Sequence, residues 1–514
     1  MVFFLDLIRF YPRTSCFISG ALSGLLFAPF FAFLMIPTLG VLAYHASKAS
    51  SSKQAFSYGC YFGFAHFFVG LYWIVFAILV YIDEFWWAVP FALFGLPLFM
   101  SVFVGLTCAV SNLCKKLAMF NLCFTISWVL FEWIRSWAFT GLPWNLLGYS
   151  LSFSITLIQS ASIWGIWGLS TIVAYVGGGA MYFLLNGEFT SFKKHAAQSA
   201  LILIGMMIFG QYRLEKYPTT FSKDVVRLVQ PNIPQKDKWN SQDFLYSLQQ
   251  HIDLSIEPSY LGTPEIIIWP ESALPTVIHN RQLLDILANF LQPGQMLISG
   301  AINQEVVDAK VFDAKYKQYV SMHGIDYMGN ITFGYNKIHL VPFGEYVPLK
   351  NILNIKKFTY GVMDYAKGKE SQKIVTEKFR IKPLICYEAI FPNLARVSNK
   401  EIDLMINISN DSWYGDSPGP YQHFYMTRMR AIENGLPVLR AANSGISAVI
   451  DPLGRIIESS KLETKTYLDS YVPSKMVNPT IYSSYPQCIM LFFLILVLFG
   501  VELINLRHNI SKVF

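Results

Sequence analysis

Apolar stretches suited to crossing a bilayer crowd the first 212 residues, near 16–29, 30–46, 55–80, 86–113, 117–137, 159–184 and 196–212, and an eighth lies at 485–506. About 20 apolar residues span a hydrocarbon core roughly 30 Å thick, so a chain patterned this way folds around lipid rather than as one water-soluble globule. The first two stretches, broken around Pro29, read as a tight pair. Composition agrees: 53% of the 514 residues are hydrophobic and 14% charged, where a soluble domain carries about 25% charge. Aromatic residues at 16% exclude a disordered chain.

The formal charge of +7 is not a nucleic-acid footprint, because 29 basic and 27 acidic residues between Arg213 and Lys475 nearly cancel. The remaining basic residues follow the spans. With a cytoplasmic N-terminus, eight spans put Arg9, Arg13, Lys48, Lys53, Lys115, Lys116, Lys193, Lys194, Arg507 and Lys512 inside, which is 10 of those 11. Both termini are then cytoplasmic, and Asp83, Glu84 and the whole 213–480 segment face the extracytoplasmic side. A secretory signal in residues 1–38 is the competing reading, but no small-x-small site follows and further spans do. Within the spans, Glu132 and Arg135 stand at i, i+3 spacing that permits pairing on one helical face, and His66 reads as a packing histidine.

From Tyr217 the texture changes to short β-rich apolar runs at 225–229, 266–269, 296–299, 383–385, 404–408 and 447–450. Continuous runs of this kind suit strands buried on both faces. Amphipathic stretches lie between them, one after Ser241 with Phe244, Leu245, Leu248 and Ile252 on one stripe, another from Pro420 to just before Gly435. The organisation expected is a membrane domain over 1–214 with about seven spans, an extracytoplasmic α/β domain over 215–480, and a last span with a short cytoplasmic tail over 481–514. No internal repeat or low-complexity tract is visible.

Of seven cysteines, Cys386 alone lies in the insert. It follows an apolar strand and precedes residues that read as a helix, and a thiol on such a turn sits near backbone N–H groups that favour its thiolate. Nucleophilic acyl transfer also needs a base for the proton and a cation for the oxyanion. Glu271 follows a buried strand in PEIIIWPES, where desolvation favours a general base. Lys337 lies among apolar and aromatic residues in FGYNKIHLVPFGEYVP, eight positions before Glu345. Glu, Lys and Cys at the ends of separate strands make a constellation.

These three motifs resemble those of the nitrilase superfamily of carbon–nitrogen hydrolases. With the spans, and with QPNIPQKDKW, WPESALP, YNKIHLVPFGEYVP, ICYEAIFP and SNDSWYGDSPGPYQHFYMTRMRAIENG in that order, the whole chain is similar to the bacterial apolipoprotein N-acyltransferase family. FTGLPWNLLGYS and LLFAPFFAF resemble that family's membrane signatures. The resemblance implies an αββα sandwich on the outer face of the inner membrane, with Glu271 as general base, Lys337 as oxyanion stabiliser, Cys386 as nucleophile and Glu345 as a supporting carboxylate. Trp239, Tyr387 and Glu388 match positions that shape the pocket. It also implies no metal or organic cofactor, a phospholipid acyl donor such as phosphatidylethanolamine, and a diacylated apolipoprotein acceptor; nothing in the sequence requires more than a monomer. The stretch from Phe358 to Lys369 suggests a mobile arm over the lipid entrance. A membrane-tethered amidase using the same residues, and a transporter with an inert insert, are the rival classes.

Overall fold

The computed structural model describes residues 6, 8–115, 119–236, 241–308, 315–353, 355–358, 363–369, 373–398 and 400–485. Residues 486–506 of the expected last span, and Trp239, lie outside them. Two compact units emerge, one from residues 1–75, 87–216 and 484–514, the other from 76–86 and 217–483.

The first unit is helical. Three described helical segments, Ser52–Leu79, Ile82–Leu113 and Ala161–Leu185, are long and apolar enough to cross a membrane. The first expected pair takes another form. Pro12–Gly24 and Thr38–Lys48 are helices of 13 and 11 residues. At about 1.5 Å per residue neither alone covers a 30 Å core. Glu132 and Arg135 also depart from expectation, because they do not pair with each other. Glu132 accepts hydrogen bonds from Trp128 Nε1 (3.1 Å) and the Leu147 N–H (2.8 Å), while Arg135 donates to the carbonyls of Leu142 and Trp144, both at 2.7 Å. Each charge therefore anchors the 142–147 loop. His66 packs as expected, with Nδ1 2.7 Å from Ser23 Oγ.

The second unit is a sandwich of two sheets. Its strands are β1 (Phe221–Gln230), β2 (Ile266–Ile268), β3 (Leu274–Val277), β4 (Met296–Asp308), β5 (Lys315–Asp326), β6 (Ile331–Asn336), β7 (Ile374–Val375), β8 (Arg380–Ile385), β9 (Leu404–Ser409), β10 (Val438–Ala442), β11 (Ala448–Ile450), β12 (Ile456–Ser459) and β13 (Thr466–Pro473). One sheet runs β13-β1-β2-β4-β5-β6 with β3 added at β4, and the other runs β12-β11-β10-β9-β8-β7. The period of two along a strand sorts side chains into layers. Val226, Leu228, Ile268 and Met322 of the first sheet meet Ile381, Leu404, Ile406 and Leu439 of the second in one core. Val229, Ile267 and Leu297 point the other way, onto Leu248 of helix Ser241–Ile256 and Leu283 and Leu287 of helix Arg281–Phe290. Behind the second sheet, Met405 and Val438 pack with Phe424 and Ala431 of helix Pro418–Asn434. The four layers are αββα. That last helix begins two residues before the expected Pro420, capped by Ser417, and ends at Gly435 in the left-handed conformation.

Residues 76–86 belong to this sandwich. Glu84 pairs with Lys356 at 3.1 Å, Phe85 stacks edge-on against Phe358, and Tyr81 meets Trp413.

Candidate active site

Three strand ends deliver the reacting groups. Glu271 sits in the turn after β2, which lies directly on β4. A Cβ at Gly300 would come within 2.8 Å of Glu271 Cα, so only glycine lets the turn settle there. Lys337 follows β6, its N–H donating to Val320 O of β5 at 2.8 Å. Cys386 follows β8 with φ +49°, a left-handed backbone that a non-glycine residue holds only when its surroundings fix it.

Lys337 lies between two carboxylates. Its Nζ donates to Glu271 Oε1 at 3.1 Å and to Glu345 Oε1 at 2.7 Å, and the second Glu345 oxygen accepts the Val341 N–H at 2.7 Å. The ammonium is 1% exposed. Burial works against its charge, but Glu271 and Glu345 outweigh that and hold it well above the ordinary lysine range. Lys337 therefore stays an ammonium.

Cys386 behaves differently from the sequence expectation. Residues 386–390 form a 3₁₀ turn instead of opening an α-helix, so no long helix dipole reaches the sulfur. Burial, then the negative charge of Glu271, raise the thiol above its ordinary range, and Lys337 only partly offsets them. The resting nucleophile is a protonated thiol that needs a base. Alkylation of Cys386 by iodoacetamide is accordingly expected to quicken steadily from about pH 7 to about pH 10, and a plateau below pH 8 would mean a preformed thiolate.

Glu388, which matches a position that shapes the pocket, sits in the fold as a clamp. Fully buried, it accepts from the N–H groups of Ile338 (2.7 Å), His339 (3.1 Å) and Ile385 (2.7 Å) and from the Tyr335 hydroxyl. Those backbone groups flank Lys337 on one sheet and Cys386 on the other. Glu388→Gln turns an amide N–H₂ toward backbone donors. It is expected to lower kcat about a hundredfold with little change in KM, as a lost alignment does. An unchanged kcat would leave Glu388 a fold residue only. Tyr387 does line an aromatic group, its ring 5.0 Å from Phe391 and 5.8 Å from His339.

Sequence reasoning assigned no role to the support beneath the cysteine. His423 Nε2 lies 3.1 Å from the Cys386 carbonyl and Nδ1 2.8 Å from Asp411 Oδ1; Arg440 holds the other Asp411 oxygen at 2.6 Å. Ser409 donates to Asp411 at 2.9 Å and lies 3.5 Å from Cys386 Sγ. Cys386, Asp411 and His423 come close enough to suggest a metal site. The Arg440 guanidinium already supplies the positive charge there. The motif SNDSWYGDSPGPYQHFYMTRMRAIENG carried Ser409, Asp411 and His423, three of these residues, but nothing in its spacing shows that its helix returns beneath a strand end.

The expected arm is anchored at its described positions. Phe358 N–H donates to Phe343 O (2.7 Å), Tyr365 N–H to Glu345 O (2.9 Å), Ala366 N–H to Gln318 O (2.7 Å) and Gly368 N–H to Lys337 O (2.8 Å). The segment is thus stitched to the loops that carry Lys337 and Glu345, and residues 359–362 lie outside the described ones.

Residues 225–482 match the carbon-nitrogen hydrolase family profile, and residues 19–179 match that of the apolipoprotein N-acyltransferase N-terminal domain. The curated apolipoprotein N-acyltransferase of Rickettsia prowazekii is 46% identical over 94% of this chain and 96% of its own length. The chain belongs to the apolipoprotein N-acyltransferase family. Other members of that name are 43% identical in Rickettsia bellii, over 96% of this chain and 99% of the relative, and 36% identical in Allorhizobium ampelinum, over 90% of both. Among solved structures, an amidase from Nesterenkonia sp. AN1 is similar at 15% identity and a TM-score of 0.36, covering 52% of this chain and 95% of that one. Membership in the family makes the protein an acyltransferase built on a carbon–nitrogen hydrolase domain.

Proposed function

We propose that this acyltransferase moves a fatty acyl chain from a phospholipid, through a thioester on Cys386, to the α-amino group of a diacylglyceryl-cysteine at an apolipoprotein N-terminus. The observation that carries the reading is the buried Lys337 ammonium bridging Glu271 and Glu345 at the strand ends beside a solitary thiol.

Glu271 takes the Cys386 proton as the sulfur attacks the ester carbonyl, and Lys337 neutralises the oxyanion that develops. Collapse releases the lysophospholipid, whose alkoxide takes the proton back from Glu271. The apolipoprotein amine then attacks the thioester, Glu271 accepts the amine's proton, and Cys386 leaves and is reprotonated. Glu345 keeps the Lys337 ammonium aimed through both halves. Because burial keeps the resting thiol protonated, nucleophile and base become active together only as substrate arrives, which protects the thiol between turnovers.

The setting we propose is a bacterial inner-membrane protein with eight spans and both termini cytoplasmic. The 1–214 segment supplies seven spans, 215–480 works on the periplasmic face, and 481–514 returns the chain to the cytoplasm. Both substrates are lipid-anchored, so holding the site over the bilayer raises their effective concentration. A monomer suffices, because all the proposed reacting groups come from one chain.

The test is intact-mass measurement of detergent-solubilised protein after incubation with phosphatidylethanolamine. Addition of one acyl mass, removed by a synthetic diacylglyceryl-cysteine peptide with equal gain on the peptide, supports the reading. No acyl adduct, or one discharged by water as fast as by peptide, would overturn it.

A further inference from the structure

The loop after Glu345 carries three lysines with different surroundings. Lys350 pairs with Asp364 at 3.0 Å and Lys356 with Glu84 at 3.1 Å. Lys357 is 5% exposed, and its ammonium lies 4.1 Å from the centre of the Tyr365 ring. Among the described residues no carboxylate comes within ion-pair distance of it. A cation out of water needs a partner, and one aromatic face repays only part of the lost hydration. Burial, only partly opposed by Asp364 and Glu345, brings Lys357 down to about 8, so a ligand anion restores a charge that the fold leaves uncompensated.

Its position ties it to the chemistry. The Tyr365 N–H donates to the backbone carbonyl of Glu345, whose carboxylate holds Lys337. Lys357 is thus linked through Tyr365 to Glu345, the residue that holds Lys337. The same loop exposes Leu349, Ile352 and Met363. A desolvated cation on a loop that also exposes apolar side chains suits an amphipathic anion. A phospholipid places its phosphate and its first ester on one glycerol, so whatever reads the phosphate must stand about a side chain's breadth from the nucleophile.

We propose that Lys357 binds the phosphodiester of the acyl donor, so that the enzyme selects phospholipids over uncharged glycerides. This rests on the acyl-transfer reading given above and names the residue that recognises the donor. Lysine acts at such a site as a point charge, and arginine can replace it.

The experiment measures acyl mass on Cys386 in the full-length protein with phosphatidylethanolamine and, separately, with diacylglycerol bearing the same chains. Lys357→Met is expected to raise the half-saturating phospholipid concentration about tenfold, the worth of one charge-assisted hydrogen bond, and to leave acylation by diacylglycerol unchanged. Lys357→Arg is expected to keep the wild-type preference. Soluble glycerophosphoethanolamine should slow acylation of the wild type by phospholipid, an arm that needs no variant. An unchanged donor ratio in Lys357→Met, equal loss with both donors, or no inhibition of the wild type by glycerophosphoethanolamine would each overturn the assignment. So would inorganic phosphate slowing both donors alike, which marks a general anion site. Absence of acyl-Cys386 in the wild type with either donor would instead remove the acyl-transfer reading itself.

Discussion

Cys386→Ala will abolish acyl-enzyme formation and N-acylation, a loss on the order of 10⁴-fold or more, while the protein folds and inserts as before. The side chain is 5% exposed and lies in the core shared by both sheets, so removing one sulfur costs about 1–2 kcal/mol of packing and little else. Its φ of +49° is held by neighbours, the Glu388 carboxylate on the Ile385 N–H and His423 on the Cys386 carbonyl, and alanine keeps both contacts. Cys386→Ser separates the steps. A hydroxyl has a far higher pKa than a thiol, so Glu271 is a poor base for it, and any oxyester that forms yields slowly to an amine because an alkoxide leaves worse than a thiolate. Serine should therefore show slow acylation and slower discharge. Full activity in either variant would sink the proposed nucleophile.

The sequence disclosed the site better than it disclosed the fold around it. WPES, YNK and ICYE each join a run of apolar residues to a reacting group, and strands buried on both faces, such as β9, are legible because apolar residues dominate them: Leu404, Met405, Ile406 and Ile408 outnumber Asn407 and Ser409. Of the strands that went unread, β5, β6, β12 and β13 carry many polar residues and lie toward the sheet edges, where the apolar signal thins, β3 and β7 are only four and two residues long, and β10, buried throughout, is a short run broken by Arg440. The thiolate expectation failed for a local reason: ICYEAIFP looks like a strand running into a helix, but Phe391 and Pro392 stop the turn after five residues. Glu388 was recognised by position, but its hydrogen bonds were not legible, because the four groups it binds come from segments some 50 residues apart in the chain. The charges in FEWIRSW looked like a pair, but the backbone of a loop up to 15 residues away takes both. Pairing by spacing cannot foresee that.

Arg440→Met is expected to cost about 3–5 kcal/mol, the usual consequence of stranding one member of a buried ion pair. Arg440 and Asp411 are both fully buried. Arg440 also reaches Thr427 Oγ1 and the carbonyl of Ile446. Burial alone would raise the Asp411 carboxyl, but Arg440 first and His423 second reverse that and hold it below the usual aspartate range. A depressed folded-state value contributes stability above the ordinary aspartate pKa and loses it only as pH falls through the folded value, so the wild type keeps this contribution at both pH 7 and pH 5. Without Arg440 burial dominates, and the Asp411 value rises above that of the unfolded chain. Its protonation then relieves the variant as pH falls. The difference in melting temperature between wild type and Arg440→Met should thus narrow from pH 7 to pH 5, and an equal difference at both would refute the ionic explanation. Space does not allow Asp411 to move away, because a Cβ at Gly445 would already stand 2.2 Å from its Oδ2. Replacing both charges, as Asp411→Leu with Arg440→Met, should recover much of the stability, because a buried ion pair is often no stronger than a well-packed apolar pair. Activity should not return with it. His423 would lose the carboxylate that orients it, and the Cys386 carbonyl would lose a fixed donor, so a stable but slow double variant would separate the network's role in positioning the nucleophile from its role in folding.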